Sequence, residues 1–172
     1  QTSGDNQTEA LIGFTALNLK RMERLNKTLK ISEELYQICQ HLSKPQTWYV
    51  IAENWCGDCA QNMPAIQKIV ESSNGKIELK IIFRDVNPEL MEIYHTNGAK
   101  SIPKLIAFDE NENEIFTWGA RPKEANDILY AWKANPQDKT WEEFEKELHL
   151  WYAKDKGQSL FNEFYSILSG IN

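Results

Sequence analysis

The chain has 172 residues, 41% of them hydrophobic and 26% charged, enough for one domain with a sizeable core. Its net charge of −6 argues against nonspecific binding to nucleic acid or to an anionic membrane, since both need clustered Lys and Arg. No apolar run approaches the ~18–20 residues of a membrane-spanning helix, and the polar residues 1–10 carry no signal-peptide pattern.

Residues 1–8 read as frayed, and a start at Gln1 instead of Met implies a missing stretch upstream: a cleaved signal, a removed tag or a trimmed terminus. From about residue 9 to 29, Leu11, Phe14, Leu17, Met22, Leu25 and Leu29 recur at three- and four-residue steps. That spacing predicts an amphipathic helix with Lys20, Arg21, Arg24 and Lys27 on its solvated face. Ser32 is an N-cap for a second helix running to about Leu42. Its apolar face at 35, 38, 39 and 42 makes Cys39 a buried free thiol, with a resolving thiol or a metal ligand as the alternatives.

After Pro45, residues 47–52 are β-branched and aromatic and predict a buried strand. A helix is expected over 60–72 with Ile66, Ile69 and Val70 inward, then a turn at Asn74-Gly75 and a second strand over 76–84. Asn87-Pro88 starts a short helix that Asn97-Gly98 ends. Pro103 introduces a third strand over 104–108, the polar run 109–113 turns, and 114–118 returns as a fourth. Arg121-Pro122 opens a helix to about Ala134. Thr140 with Glu143 makes a capping box for another to about Lys154, with Trp141, Phe144, Leu148 and Trp151 as core packing. Gly157 stops it, and 159–168 is the last helix. This order is that of an α/β domain covering 1–172: a central βαβαββα unit over about 46–134, with helical extensions over 9–42 and 140–169.

Cys56 and Cys59 sit three positions apart in Trp55-Cys56-Gly57-Asp58-Cys59, between a predicted strand and a predicted helix. A pair so placed closes and reopens a small disulfide ring, and near a βαβ pattern it reads as a dithiol redox site. Three cysteines are too few for a disulfide-stapled secreted scaffold and fit a reducing compartment better. Cys56, at the mouth of the helix, is the expected nucleophile, because unpaired N–H groups and the helix dipole favour its thiolate. Cys59, one turn further in, is the expected resolving thiol. Gly57 allows the tight turn, and Trp55 offers a flat apolar rim for docking. Half a zinc site is the competing reading, with Cys39 and His41 as further ligands, although the remaining histidines lack ligand spacing. A proline opening a central strand is unusual, and a cis peptide at Ile102–Pro103 is one explanation. Facing the dithiol, Pro103 would exclude metal and expose the Ile102 backbone to a bound peptide.

With these motifs in place, the chain resembles the thioredoxin superfamily over about residues 46–134. Strand, Trp-Cys-x-x-Cys, helix, strand, helix, Ile-Pro and two further strands follow in that family's order, with Pro64 matching its helix-kinking proline and Gly119 its small residue after the last strand. Segments 5–10, 18–24, 118–122 and 150–156 further resemble a bacterial thioredoxin-like group of unknown physiological role. The resemblance implies a central mixed sheet of about four strands and a cytoplasmic thiol–disulfide oxidoreductase. Its partners would be a disulfide-containing protein substrate and a recycling thiol reductase, and it needs no cofactor or metal. Val50 stands where the family keeps a buried carboxylate, and Ile81 where its lysine falls. Both being apolar is self-consistent, since a lone buried charge is costly. Glu53 is then either a substitute proton carrier or a loop cap. Asp58 replaces the usual proline, and its charge is expected to disfavour the Cys56 thiolate, moving the pair toward a reductant. A non-catalytic binding module, with terminal helices over the docking face, is the alternative function, and a carrier of metal or an iron–sulfur cluster using the dithiol across a dimer is the third.

Overall fold

The computed structural model describes residues 8–136 and 139–171. Among them the elements run α1 (Glu9–Thr28), α2 (Glu33–Gln40), β1 (Gln46–Ala52), α3 (Gly57–Ser72), β2 (Ile77–Phe83), α4 (Pro88–Ile93), β3 (Lys104–Asp109), β4 (Glu114–Gly119), α5 (Lys123–Ala134), α6 (Trp141–Asp155) and α7 (Gln158–Ile171). The strands form one mixed sheet in the order β2-β1-β3-β4. β1 pairs parallel with β2, Val50 opposite Ile81, and antiparallel with β3, Val50 opposite Leu105. Parallel strands need a crossover, which α3 supplies, whereas antiparallel β3 and β4 need only a tight turn. Asp109 builds that turn by accepting the N–H groups of Asn111 and Asn113.

Side-chain caps fix where the helices begin. Thr8 accepts the Leu11 N–H, Ser32 accepts that of Leu35, and Thr140 with Glu143 forms the reciprocal capping box. Thr8 is therefore the ordered start of α1 and not frayed chain, while residues 1–7 lie outside the described residues. Asn97-Gly98 does not end α4, which stops at Ile93. Both residues take positive φ in a separate turn closed between Thr96 and Ala99.

The expected inner face of α1 is corrected. Phe14 and Leu17 are exposed, and the helix buries Asn18, Leu25 and the adjoining Leu29. Arg21, expected in solvent, is half-buried. The reason is polar: the Asn18 amide donates to the Asn54 carbonyl (2.9 Å), and Arg21 Nη1 donates to Asn18 Oδ1 (2.7 Å). Satisfying a buried backbone acceptor outweighs burying two more apolar side chains at a helix end.

The main core lies where β1, α2, α3 and α7 meet. Trp48 is fully buried, with Phe164 of α7 at a centroid distance of 5.4 Å and Phe116 edge-on at 5.6 Å. Such ring pairs add about 0.5–1.5 kcal/mol each beyond their buried area. Cys39 is wholly buried in this core, and burial pushes its thiol up to about 11. A second cluster, Ala125 and Leu129 against Phe144, Leu148 and Tyr152, joins α5 to α6. Trp141 differs from expectation: it is exposed, lying against Trp132 and Phe144 at the rim of this cluster.

Candidate redox site

The loop after β1 delivers Cys56 as the N-cap of α3, in extended backbone, where its sulfur accepts the Cys59 N–H at 3.5 Å. Both thiols are free; Cys56 is half-buried and Cys59 buried. Cys56 is lowered from the ordinary thiol range. The Cys59 side-chain hydrogen bond is the largest cause, and it outweighs burial and the charge of Asp58. Cys59 is raised well above that range, mainly by burial and by giving its hydrogen bond to Cys56. The dithiol thus holds one sulfur disposed to ionise and one held protonated, the asymmetry that exchange requires.

Against one side of Cys56 lies the start of β3. The Cys56 thiol reaches the Ile102 carbonyl at 3.5 Å, the Ile102–Pro103 peptide is cis, and both residues are buried. Gly119 closes in behind them with φ +131°, and a Cβ there would run into the Pro103 carbonyl oxygen. Glycine is required at this point for both reasons.

The other side is made by α1, α6 and the turn before α5. Asp58 Oδ1 accepts the Tyr152 hydroxyl at 3.0 Å, and Arg121 Nη2 lies 2.5 Å from Oδ2. The Asn62 amide donates to the Asp58 carbonyl (2.9 Å) and to Tyr152 (3.1 Å). Burial raises the Asp58 carboxyl, which Arg121 and Tyr152 counter. Burial works against the Arg121 charge too, but Asp58, with Tyr152 and Cys56 adding to it, holds it up. His149 packs on the dipeptide: a Cβ at Gly57 would lie 3.1 Å from its Cε1 and Nε2. Burial, then the nearby Arg21 charge, lowers His149 to about 4, so its ring is neutral and its Nδ1 accepts from the Gln61 amide at 3.1 Å.

Several expected roles change here. Gly57 needs no left-handed backbone; what it provides is room for His149. Asp58 does oppose the Cys56 thiolate, but the net shift is downward, because the Cys59 hydrogen bond outweighs a carboxylate already paired with Arg121. Trp55 is half-buried under the Arg84 guanidinium, 4.8 Å above its ring, and is not a bare apolar rim. Glu53 accepts the Asp85 N–H at 2.8 Å, a loop cap. Among the described residues no three His, Cys, Asp or Glu side chains gather as a metal donor set, and Cys39 is wholly buried in the core. Sequence reasoning assigned no role at the site to Asn18, Arg21, Asn62, Arg121, His149 or Tyr152. Arg121 and Tyr152 lie inside segments that carry the resemblance, which was the available signal.

A thioredoxin family model matches residues 4–139. The chain belongs to the thioredoxin family. Thioredoxin 1 of Nostoc sp. is 33% identical over 69 residues, covering 40% of this chain and 62% of that protein. The thioredoxin of Streptomyces clavuligerus is 37% identical over 71 residues, covering 41% of this chain and 63% of that one. The chain therefore spans less than two thirds of the length of these relatives. A crystal structure of a protein of unknown function from Pseudomonas aeruginosa superposes with a TM-score of 0.64 at 20% identity, covering 97% of this chain and 89% of that one. That fold likeness takes in the helices beyond the stretch shared with the thioredoxins. Among the described residues, no helix is long and apolar enough to cross a membrane.

Proposed function

We propose that this chain is a thiol–disulfide oxidoreductase that reduces protein disulfides in the cytoplasm, as one thioredoxin-like domain with its helical extensions. The observation that carries the reading is the placement of Cys56: an N-cap sulfur, half-buried, hydrogen-bonded by Cys59 and set against the Ile102 carbonyl. The Cys56 thiolate attacks one sulfur of a substrate disulfide, and the other sulfur leaves as a thiolate that takes a proton. Cys59 then gives up its proton and attacks Cys56, closing the Cys56–Cys59 disulfide and releasing the second substrate thiol. The substrate gains two electrons and the dithiol loses two, and a thiol reductase restores them. The Ile102 backbone and Pro103, with Trp55 at the edge, receive the substrate segment. Glu53 caps the loop and takes no proton.

Equilibration with a glutathione buffer tests this. A reversible two-electron couple below the glutathione poise is expected, and Cys59→Ser should then accumulate mixed disulfides on Cys56. The absence of a reversible couple would overturn the reading in favour of a binding module.

A further inference from the structure

The dithiol is flanked by a buried ion pair that the exchange steps above do not use. Asp58 lies between the two cysteines, and its carboxylate points away from solvent to Arg121, the two side chains being 11% and 12% exposed. Arg121 directly follows Gly119 and Ala120, the segment pressed against Pro103. It is thus held between the dithiol helix and the strand side of the site. Tyr152 of α6 binds the remaining carboxylate oxygen, and Asn62 links Asp58, Tyr152 and the Ala120 carbonyl. So braced, the guanidinium does not swing out to solvent as a surface arginine would.

We propose that Arg121 is a positioning residue that sets the nucleophilicity of Cys56, cancelling the Asp58 charge at close range and presenting its own positive charge to the thiolate. This rests on the oxidoreductase reading. A carboxylate two residues from the nucleophile opposes its ionisation; paired with Arg121, that charge is offset at its source. Cys56 is among the groups that hold the Arg121 charge up, after Asp58 and Tyr152.

Among the described residues, none of the other groups facing the site forms an ion pair with Asp58. From α3 come Cys59, which donates to Cys56, and Asp58 itself. From α6 come Tyr152, occupied by Asp58, and the neutral His149. α1 brings Arg21, bonded to Asn18, whose charge also reaches Asp58 but makes no ion pair with it. Glu53, in the loop before Cys56, is turned to Asp85.

The test is the pH profile of Cys56 alkylation by iodoacetamide, with the modified residue identified by mass spectrometry. Asp58→Asn removes the opposing charge and leaves Arg121 in place, so Cys56 should react several-fold faster at pH 7 than in the parent. Asp58→Asn/Arg121→Gln removes both members of the pair and leaves no unpaired buried charge, which protects the fold. Its rate should drop below that of Asp58→Asn by roughly tenfold, the thiolate lost when a pKa rises by one unit. Asp58→Asn/Arg121→Lys should recover much of that loss. Equal rates in Asp58→Asn and the Arg121→Gln double variant would overturn the inference, as would a slower Asp58→Asn. The glutathione equilibrium of the parent is read separately, so a missing redox couple defeats the oxidoreductase reading while the alkylation profile still decides the role of Arg121.

Discussion

On the strand side of Cys56 the site is made of backbone: the Ile102 carbonyl, Pro103 and the bare Cα of Gly119. On the helix side it is made of side chains that meet from far apart in sequence, Asp58 with Arg121 and Tyr152, and Gly57 under His149. The strand side restricts what fits there. The helix side sets charge. The strand side is local in the chain, while the helix side draws on α6, whose Tyr152 and His149 reach the dipeptide between the cysteines.

The largest effect expected in testing this contrast is at Arg121. Arg121→Met strands a buried carboxylate and should destabilise the chain by about 3–5 kcal/mol in urea unfolding. Adding Asp58→Asn should return much of that loss, and a failure to do so would mean that packing and not pairing holds this side together. On the strand side, Gly119→Ala meets both the Pro103 carbonyl and a left-handed φ, and about 2–4 kcal/mol should be lost. A loss under ~1 kcal/mol would show that the two segments part more easily than their contact implies.

The next effect is a slope. His149 titrates near 4 in the folded chain and near its ordinary 6.5 when unfolded, so between those pH values the unfolded chain binds the extra proton. Stability should therefore fall as pH drops from about 6.5 to 4, and His149→Gln should flatten that part of a stability–pH curve. An unchanged slope would remove His149 from the account. The smallest effect belongs to the exposed Lys123–Asp127 pair on α5, at 2.6 Å but 77% and 58% exposed. Lys123→Ala should leave the urea midpoint almost unmoved. A shift as large as that at Arg121 would erase the distinction between buried and surface pairing.

The same contrast explains what was legible in the sequence. The strands and the caps at Ser32 and Thr140 are local signals, readable because the residues involved lie within a few positions of one another. The dithiol, Pro103 and Gly119 are equally local and carry a family likeness. The helix side is not local: Asp58 and Tyr152 are 94 positions apart, and nothing in their spacing marks them as partners. Periodicity also misled at α1, where the Leu11–Phe14–Leu17 stripe is a valid helical face, but Asn18 and its bond to Asn54 set the rotation. The sequence marks Asp58 as a charge beside a thiol but does not show that Arg121 lies against it.

Cys39 has a consequence for watching this molecule in motion. Its sulfur is sealed on the inner face of α2 and stays protonated at pH values well below about 11, so a mild electrophile meets it only in moments when α2 lifts from the core. Slow labelling at Cys39 would count those openings, while fast labelling at Cys56 reports the closed chain. One chain with one reagent therefore carries two clocks, one for exchange chemistry and one for breathing of the fold.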